Sequence, residues 1–173
     1  MEAALSAAET GHLVFSTLHS VDATQTVERI INFFPPHQHN LIRMQLSMVL
    51  EGVISQRLMR KVDGKGRIPA VEIMISSPTI RDLVHDGKTP ELYTAIKEGE
   101  YFGSLTFNQS LVNLVKEGII SREDAMTAAD RPDELELELK GIQKGTRSNV
   151  DFDFSDVKNK NKPKPSLKDF MKK

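Results

Sequence analysis

Residues His12-Leu13-Val14-Phe15-Ser16-Thr17-Leu18-His19 place apolar side chains at both odd and even positions of an extended chain. A strand that is apolar on both faces belongs inside a parallel sheet, between parallel neighbours and beneath covering helices. An α/β fold is therefore expected. Besides this run, one further strand region is convincing, near Val71-Glu72-Ile73-Met74-Ile75, together with a short alternating stretch at Leu135-Glu136-Leu137-Glu138-Leu139. Such a sheet is incomplete, and Leu13, Val14, Phe15 and Leu18 are expected to form an exposed patch through which the isolated chain associates.

Local signals place elements around this run. Leu5 to Thr10 reads as a helix stopped by Gly11. Asp22 is a helix N-cap, with Gln25 completing a capping box, and Val27, Ile30, Ile31 and Phe34 follow at helical spacing until Pro35-Pro36. From His39 to about Arg60 the periodicity predicts one long helix with Leu41, Ile42, Leu46, Val49, Leu50, Val53, Ile54 and Leu58 as its buried stripe. Asp63-Gly64-Lys65-Gly66 is turn chemistry, and the alternation that follows suits a hairpin arm or edge strand, with Pro69 favouring an edge. Beyond Pro78 short helices are expected: Ile80, Leu83 and Val84 mark one ended by Gly87, and Thr89 and Pro90 open the next as N-cap and N1, with Leu92 and Ile96 inward. Leu111, Leu114 and Val115 mark a third closed by Gly118, and Ser121 with Asp124 caps a fourth. Leu135 to Leu139 reads as a short strand. After Gly141 the composition turns to Lys, Asn, Asp and Pro, so disorder is expected. The organisation read this way is 1–77, 78–141 and a flexible Lys-rich tail, 142–173.

With 23 basic and 24 acidic residues, the chain gives no overall electrostatic reason to bind nucleic acid. The sequence contains no cysteine, which removes disulfides and thiolate zinc sites from consideration. Every apolar run falls short of the roughly 20 residues a bilayer crossing needs, and a cytoplasmic location is expected.

Thr10-Gly11-His12-Leu13-Val14-Phe15-Ser16-Thr17-Leu18-His19 resembles the His box of the secretion and pilus ATPases. Similarity continues through Arg29-Ile30-Ile31-Asn32-Phe33-Phe34-Pro35, Ile54-Ser55-Gln56-Arg57-Leu58 and Ala70-Val71-Glu72-Ile73-Met74, reaching about Leu139. By these segments the chain resembles the C-terminal part of the type IV pilus retraction, or twitching motility, ATPases of the PilT/PilU family, nearer PilU. Assembly ATPases usually carry a tetracysteine loop after the Gln-Arg-Leu segment; a compact hairpin stands there in this chain. The family's retraction helix, Ala-Ile-Arg-Asn-Leu-Ile-Arg-Glu, corresponds to Thr79-Ile80-Arg81-Asp82-Leu83-Val84-His85-Asp86, which keeps Ile80, Arg81 and Leu83 and changes the other five positions.

The resemblance implies a partial RecA-like P-loop ATPase domain followed by a helical subdomain. It also implies a complete parent that uses ATP and Mg2+ as a ring hexamer, homo- or hetero-oligomeric with other ATPase subunits, against an inner-membrane pilus platform protein. Peripheral attachment at the inner face of the membrane would follow. The family's Walker B and upstream acidic segment lie just before the His box, so the DNA upstream of Met1 is expected to encode them and a P-loop in frame. Gly87-Lys88-Thr89 copies the last three letters of a P-loop, but Asp82 stands where the first Gly belongs and a helix precedes it where a strand is required. A helix C-cap followed by an N-cap is the alternative expected there, and no ATP hydrolysis by this chain alone.

As strand residues, His12 and His19 would lie about 23 Å apart on opposite faces and could not share a metal ion. No metal site is expected, His37 and His39 being read as solvated loop residues. His12 reads as a structural polar end of the strand. His19 ends it on the side where open α/β sheets gather ligands. The resemblance makes His19, Thr17 and His12 nucleotide-sensing residues, with His19 and Thr17 facing the outer phosphate. Arg81 is either a solvated charge or, by resemblance, a transmitter of movement to the pilus platform. Lys158, Lys160, Lys162, Lys164, Lys168, Lys172 and Lys173 make the tail basic, either simply solvated or docking weakly on an acidic partner or membrane. The rival function is a non-enzymatic interaction module that docks on full-length subunits or the platform; an inactive truncated product is a third possibility.

Overall fold

A computed structural model describes residues 1–141. Helix α1, Glu2–Glu9, buries Leu5 and ends at Thr10, after which Gly11 takes φ 84°. That left-handed value is open to glycine at little cost, so the expected stop holds. The His12–His19 strand does not form: these residues join no ladder, and Leu13 and Phe15 are 81% and 88% exposed. The physical reason is partner supply. Both strands among the described residues pair with each other, and an extended apolar run cannot make a sheet by itself.

Helix α2, Ala23–Asn32, starts where the Asp22 carboxylate accepts from the Gln25 N–H at 2.7 Å, without the return bond from Gln25 that a full capping box has. It buries Val27, Ile30 and Ile31. Helix α3 covers only His39–Val49; residues Gly52–Arg60 form strand β1 instead of continuing the helix. Gly52 marks the change, because a Cβ there would sit 2.9 Å from the Met74 carbonyl oxygen across the ladder. Period two then replaces period 3.6. Ser55 and Met59 turn inward, while Ile54 and Leu58, assigned by the helical stripe to the core, are exposed.

Strand β2, Arg67–Ile75, pairs antiparallel with β1 from Arg60↔Arg67 to Gly52↔Ile75. The expected turn joins them: Lys65 N–H donates to Asp63 Oδ1, and Gly64 and Gly66 have φ of 70° and 89°. The buried face of β2 is Ala70, Glu72 and Met74. The far edge of β2 meets only a single bridge, Ile73 to Leu105, so Pro69 sits on an edge strand as expected.

Helix α4, Pro78–Asp86, is capped by Ser77 and closed by Gly87 at φ 72°. Lys88, not Thr89, precedes the next turn, Thr89–Glu91, which leads into helix α5, Leu92–Glu98. The Thr89 hydroxyl, expected to cap, donates to Glu28 on α2 instead. Helix α6, Phe107–Lys116, opens with a reciprocal capping box between Thr106 and Gln109, and helix α7, Arg122–Ala128, is capped by Ser121. The stretch 135–139 is helical: α8 spans Pro132–Leu139. Pro132 suits the first turn, Asp133 and Glu134 complement the helix dipole there, and Leu135 is fully buried. Glu134 and Glu138 both pair with Lys97 of α5, and Glu136 pairs with Lys140 and Arg122.

Two apolar clusters hold these elements. One joins α1 to α5 around Val27, Ile31, Ile80 and Leu92, with Met74 from β2; the other joins α6, α7 and α8 around Phe107 and Leu111, with Met59 and Ala70 from the hairpin. The hairpin thus feeds one side chain set to each cluster. The tail expectation lies outside the described residues.

Candidate sensing segment and its anchorage

Leu18 is half-buried against the first cluster, but His12, Thr17 and His19 are exposed. His12 Nδ1 lies 3.0 Å from Thr10 Oγ1, a local contact at the end of α1. Among the described residues, Thr17 and His19 have no hydrogen-bonding partner. The three residues singled out from the motif therefore share one exposed segment and are not brought together in a closed site.

The order begins directly after them. Ser20 Oγ is 2.6 Å from Thr26 Oγ1, whose hydroxyl donates to the Asp22 carbonyl. Arg57 Nη2 on β1 reaches the Val21 carbonyl at 3.4 Å, and the Ala23 N–H donates to Glu72 Oε1 on β2 at 2.6 Å. Glu72 is buried, 3% exposed, and sits at the first turn of α2, where unpaired N–H groups and the dipole favour a carboxylate. Burial nevertheless dominates and pushes its pKa up to about 7, helped by the charges of Asp22 and Asp130 and opposed by the Ala23 N–H and by Arg57. Neither Glu72 nor Arg57 stood out as a site residue in the sequence. The signal that could have found Glu72 is a carboxylate on the buried register of a strand, flanked by Ala70 and Met74.

Arg81 of α4 is neither free nor simply solvated. Its Nη1 donates to the Ser47 and Met48 carbonyls at 2.8 and 2.9 Å, and its Nη2 to Glu51 at 3.1 Å. It caps the C-terminal carbonyls of α3. Ile80 beside it is buried and Leu83 is partly buried on the first cluster, so two of the three retained retraction-helix residues are packing residues here. Ser47, Met48, Arg81, Asp82 and His85 line a shallow open depression between α3 and α4.

Gly87-Lys88-Thr89 cannot cradle a phosphate as folded. The Gly87 and Lys88 N–H groups are bonded to the Val84 and Leu83 carbonyls, Lys88 Nζ is paired with Asp86 at 3.1 Å, and the Thr89 hydroxyl faces Glu28. Those groups do not fit ATP. His39 Nε2 is 2.9 Å from the Phe34 carbonyl, a turn contact.

A family model described as type II/IV secretion system protein matches residues 1–84. The type IV pilus retractation ATPase PilT of Pseudomonas aeruginosa is 45% identical over 130 residues, which cover 75% of this chain and 38% of that protein. The type IV pilus ATPase PilU of the same organism is 40% identical over 140 residues, covering 81% of this chain and 37% of the relative. The crystal structure of the pilus retraction motor PilT with bound ADP superposes with a TM-score of 0.69 at 45% identity, over 78% of this chain and 37% of that one. The chain thus spans under two fifths of the length of these relatives, and their identities do not place it nearer PilU than PilT. On 45% identity to PilT in both sequence and superposed structure, the chain is a homologue of part of the PilT and PilU pilus ATPases, and its residues 1–84 match the type II/IV secretion system protein family.

Proposed function

We propose that this chain is the C-terminal, nucleotide-sensing and force-transmitting portion of an ATP-driven pilus retraction motor, and that it does not hydrolyse ATP alone. The observation that carries this reading is the superposition on a retraction motor at 45% identity, combined with the commitment of Gly87-Lys88-Thr89 to a helix end. In the complete motor, Mg2+ and ATP are held by a segment with the P-loop and acidic residues, and Thr17 and His19 report the outer phosphate. The subunits form a hexamer in the cytoplasm, against a pilus platform protein in the inner membrane. The exposure of Leu13 and Phe15 favours a second reading, in which the chain docks on full-length ATPase subunits without chemistry of its own.

Two measurements on the purified chain separate these. Phosphate release and binding of a fluorescent ATP analogue are both expected to equal buffer. Turnover that survives purification and disappears on His19→Ala overturns the first reading. Sedimentation with a full-length PilT-type subunit tests the second, which requires complex formation without ATP binding by the chain.

A further inference from the structure

We propose that Arg57 and Glu72 form a positioning node through which the segment bearing Thr17 and His19 is coupled to the junction between α7 and α8. The role of this node in a motor rests on the function proposed above; its existence does not. The two side chains lie on the same face of the hairpin, on paired strands, since Arg57 stands opposite Ala70 and Ser55 opposite Glu72. Glu72 accepts from the Ala23 N–H, and Arg57 Nη2 donates to the Val21 carbonyl, so together they hold the two residues that flank Asp22. The other arm of Arg57 reaches the far side of the hairpin. Its Nη1 donates to the Ala128 carbonyl at 3.0 Å and pairs with Asp130 at 2.7 Å, and the guanidinium lies 4.0 Å over the Phe107 ring. One guanidinium therefore joins the backbone at 21 to the backbone at 128, with α6 beneath it.

Charge makes the node responsive. Asp22 at the α2 cap and Asp130 in the α7–α8 junction raise the pKa of Glu72 on β2 by their charges, Arg57 lowers it, and Arg57 pairs directly with Asp130. A change of position at Asp130 frees or engages Arg57, and with it the field at Glu72 and the hold on Val21 and Ala23. A movement of the segment ending at Ser20 acts in the reverse direction through the same atoms.

The Ala23 amide reads the node directly, because its proton is bonded to the Glu72 carboxylate. In the intact chain, its amide resonance followed from pH 5 to 9, roughly the span around a carboxyl raised by burial, is expected to titrate with a single midpoint. Glu72→Gln removes the titration while leaving the remaining spectrum dispersed. Asp130→Asn, a surface change not in contact with Ala23, is expected to lower the midpoint by about half a unit or more, because a negative neighbour is lost and Arg57 is released. It is also expected to raise amide exchange at Val21 to Gln25 by about threefold or more. An unchanged midpoint and unchanged exchange in Asp130→Asn would overturn the node. A lowered midpoint with unchanged exchange at Val21 to Gln25 would reflect the field of Asp130 alone and would also overturn the coupling. Because no nucleotide or partner enters this test, it can fail while the motor reading stands, and the reverse.

Discussion

Among the carboxylates of the described residues, Glu72 departs furthest from ordinary acidity. Its pKa is raised from 4.5 to about 7 in the folded chain, so the folded state holds a proton that the unfolded state has released across that window. The stabilisation is complete below about pH 4.5 and is lost as pH rises through 7, to a limit on the order of 3 kcal/mol. Glu134, held down by Lys97 and Tyr93 despite its burial, works in the opposite sense and favours the fold at higher pH. Urea midpoints measured from pH 5 to 8, about the window named, are expected to fall with pH in the wild type and to flatten in Glu72→Gln. A midpoint that rises equally in both proteins refutes the assignment. Arg81 gives a second residue-scale expectation. Arg81→Ala leaves the Ser47 and Met48 carbonyls uncapped and is expected to cost about 1–2 kcal/mol in urea unfolding, with Arg81→Lys recovering part of it. A loss below a few tenths of a kcal/mol would return Arg81 to the status of a solvated charge.

At the scale of elements, the short-range punctuation was legible and the long-range pairing was not. Gly11, Gly87, Ser121 and the Asp63-Gly64-Lys65-Gly66 turn act where their local chemistry places them, because caps and turns are decided within a few residues. Periodicity failed where one apolar pattern fitted two structures. Leu46, Val49, Val53 and Ile54 continue a helical stripe on paper, yet hairpin pairing with residues 67–75 draws Gly52–Arg60 into a ladder. The Leu135-Glu136-Leu137-Glu138-Leu139 alternation failed in the other direction, since Pro132 and the Lys97 and Lys140 ion pairs favour helix over strand. Gly52→Ala tests the helix-to-strand change. A Cβ 2.9 Å from the Met74 carbonyl must push the two strands apart, so a loss of about 1–3 kcal/mol is expected, against a gain if the residue were truly helical. Of the candidate site, the motif located the segment 12–19, but the anchorage by Arg57 and Glu72 depends on contacts 36 and 49 residues away, which no local pattern carries.

For the whole molecule, the decisive feature is an apolar segment without a sheet. Leu13, Val14 and Phe15 are exposed on a run whose composition suits burial on both faces, and Ile54 and Leu58 add exposed apolar surface on the hairpin. At about 25 cal/mol per Å2, covering several such side chains is worth several kcal/mol before association entropy is subtracted, enough to favour contacts between chains. The purified 173-residue chain is therefore expected to associate, with its weight-average mass rising as concentration rises. Leu13→Ser combined with Phe15→Ser should lower that tendency without lowering the thermal midpoint, because neither side chain contributes to the two apolar clusters. Ile30→Ser is the contrasting control, since its side chain is buried in the first cluster and its loss should lower the midpoint. Sedimentation velocity over a wide concentration range decides the matter. A wild-type chain that stays monomeric throughout, with a mass indistinguishable from that of the double variant, would mean that the 12–19 segment is content in water and that its apolar character is not a docking surface.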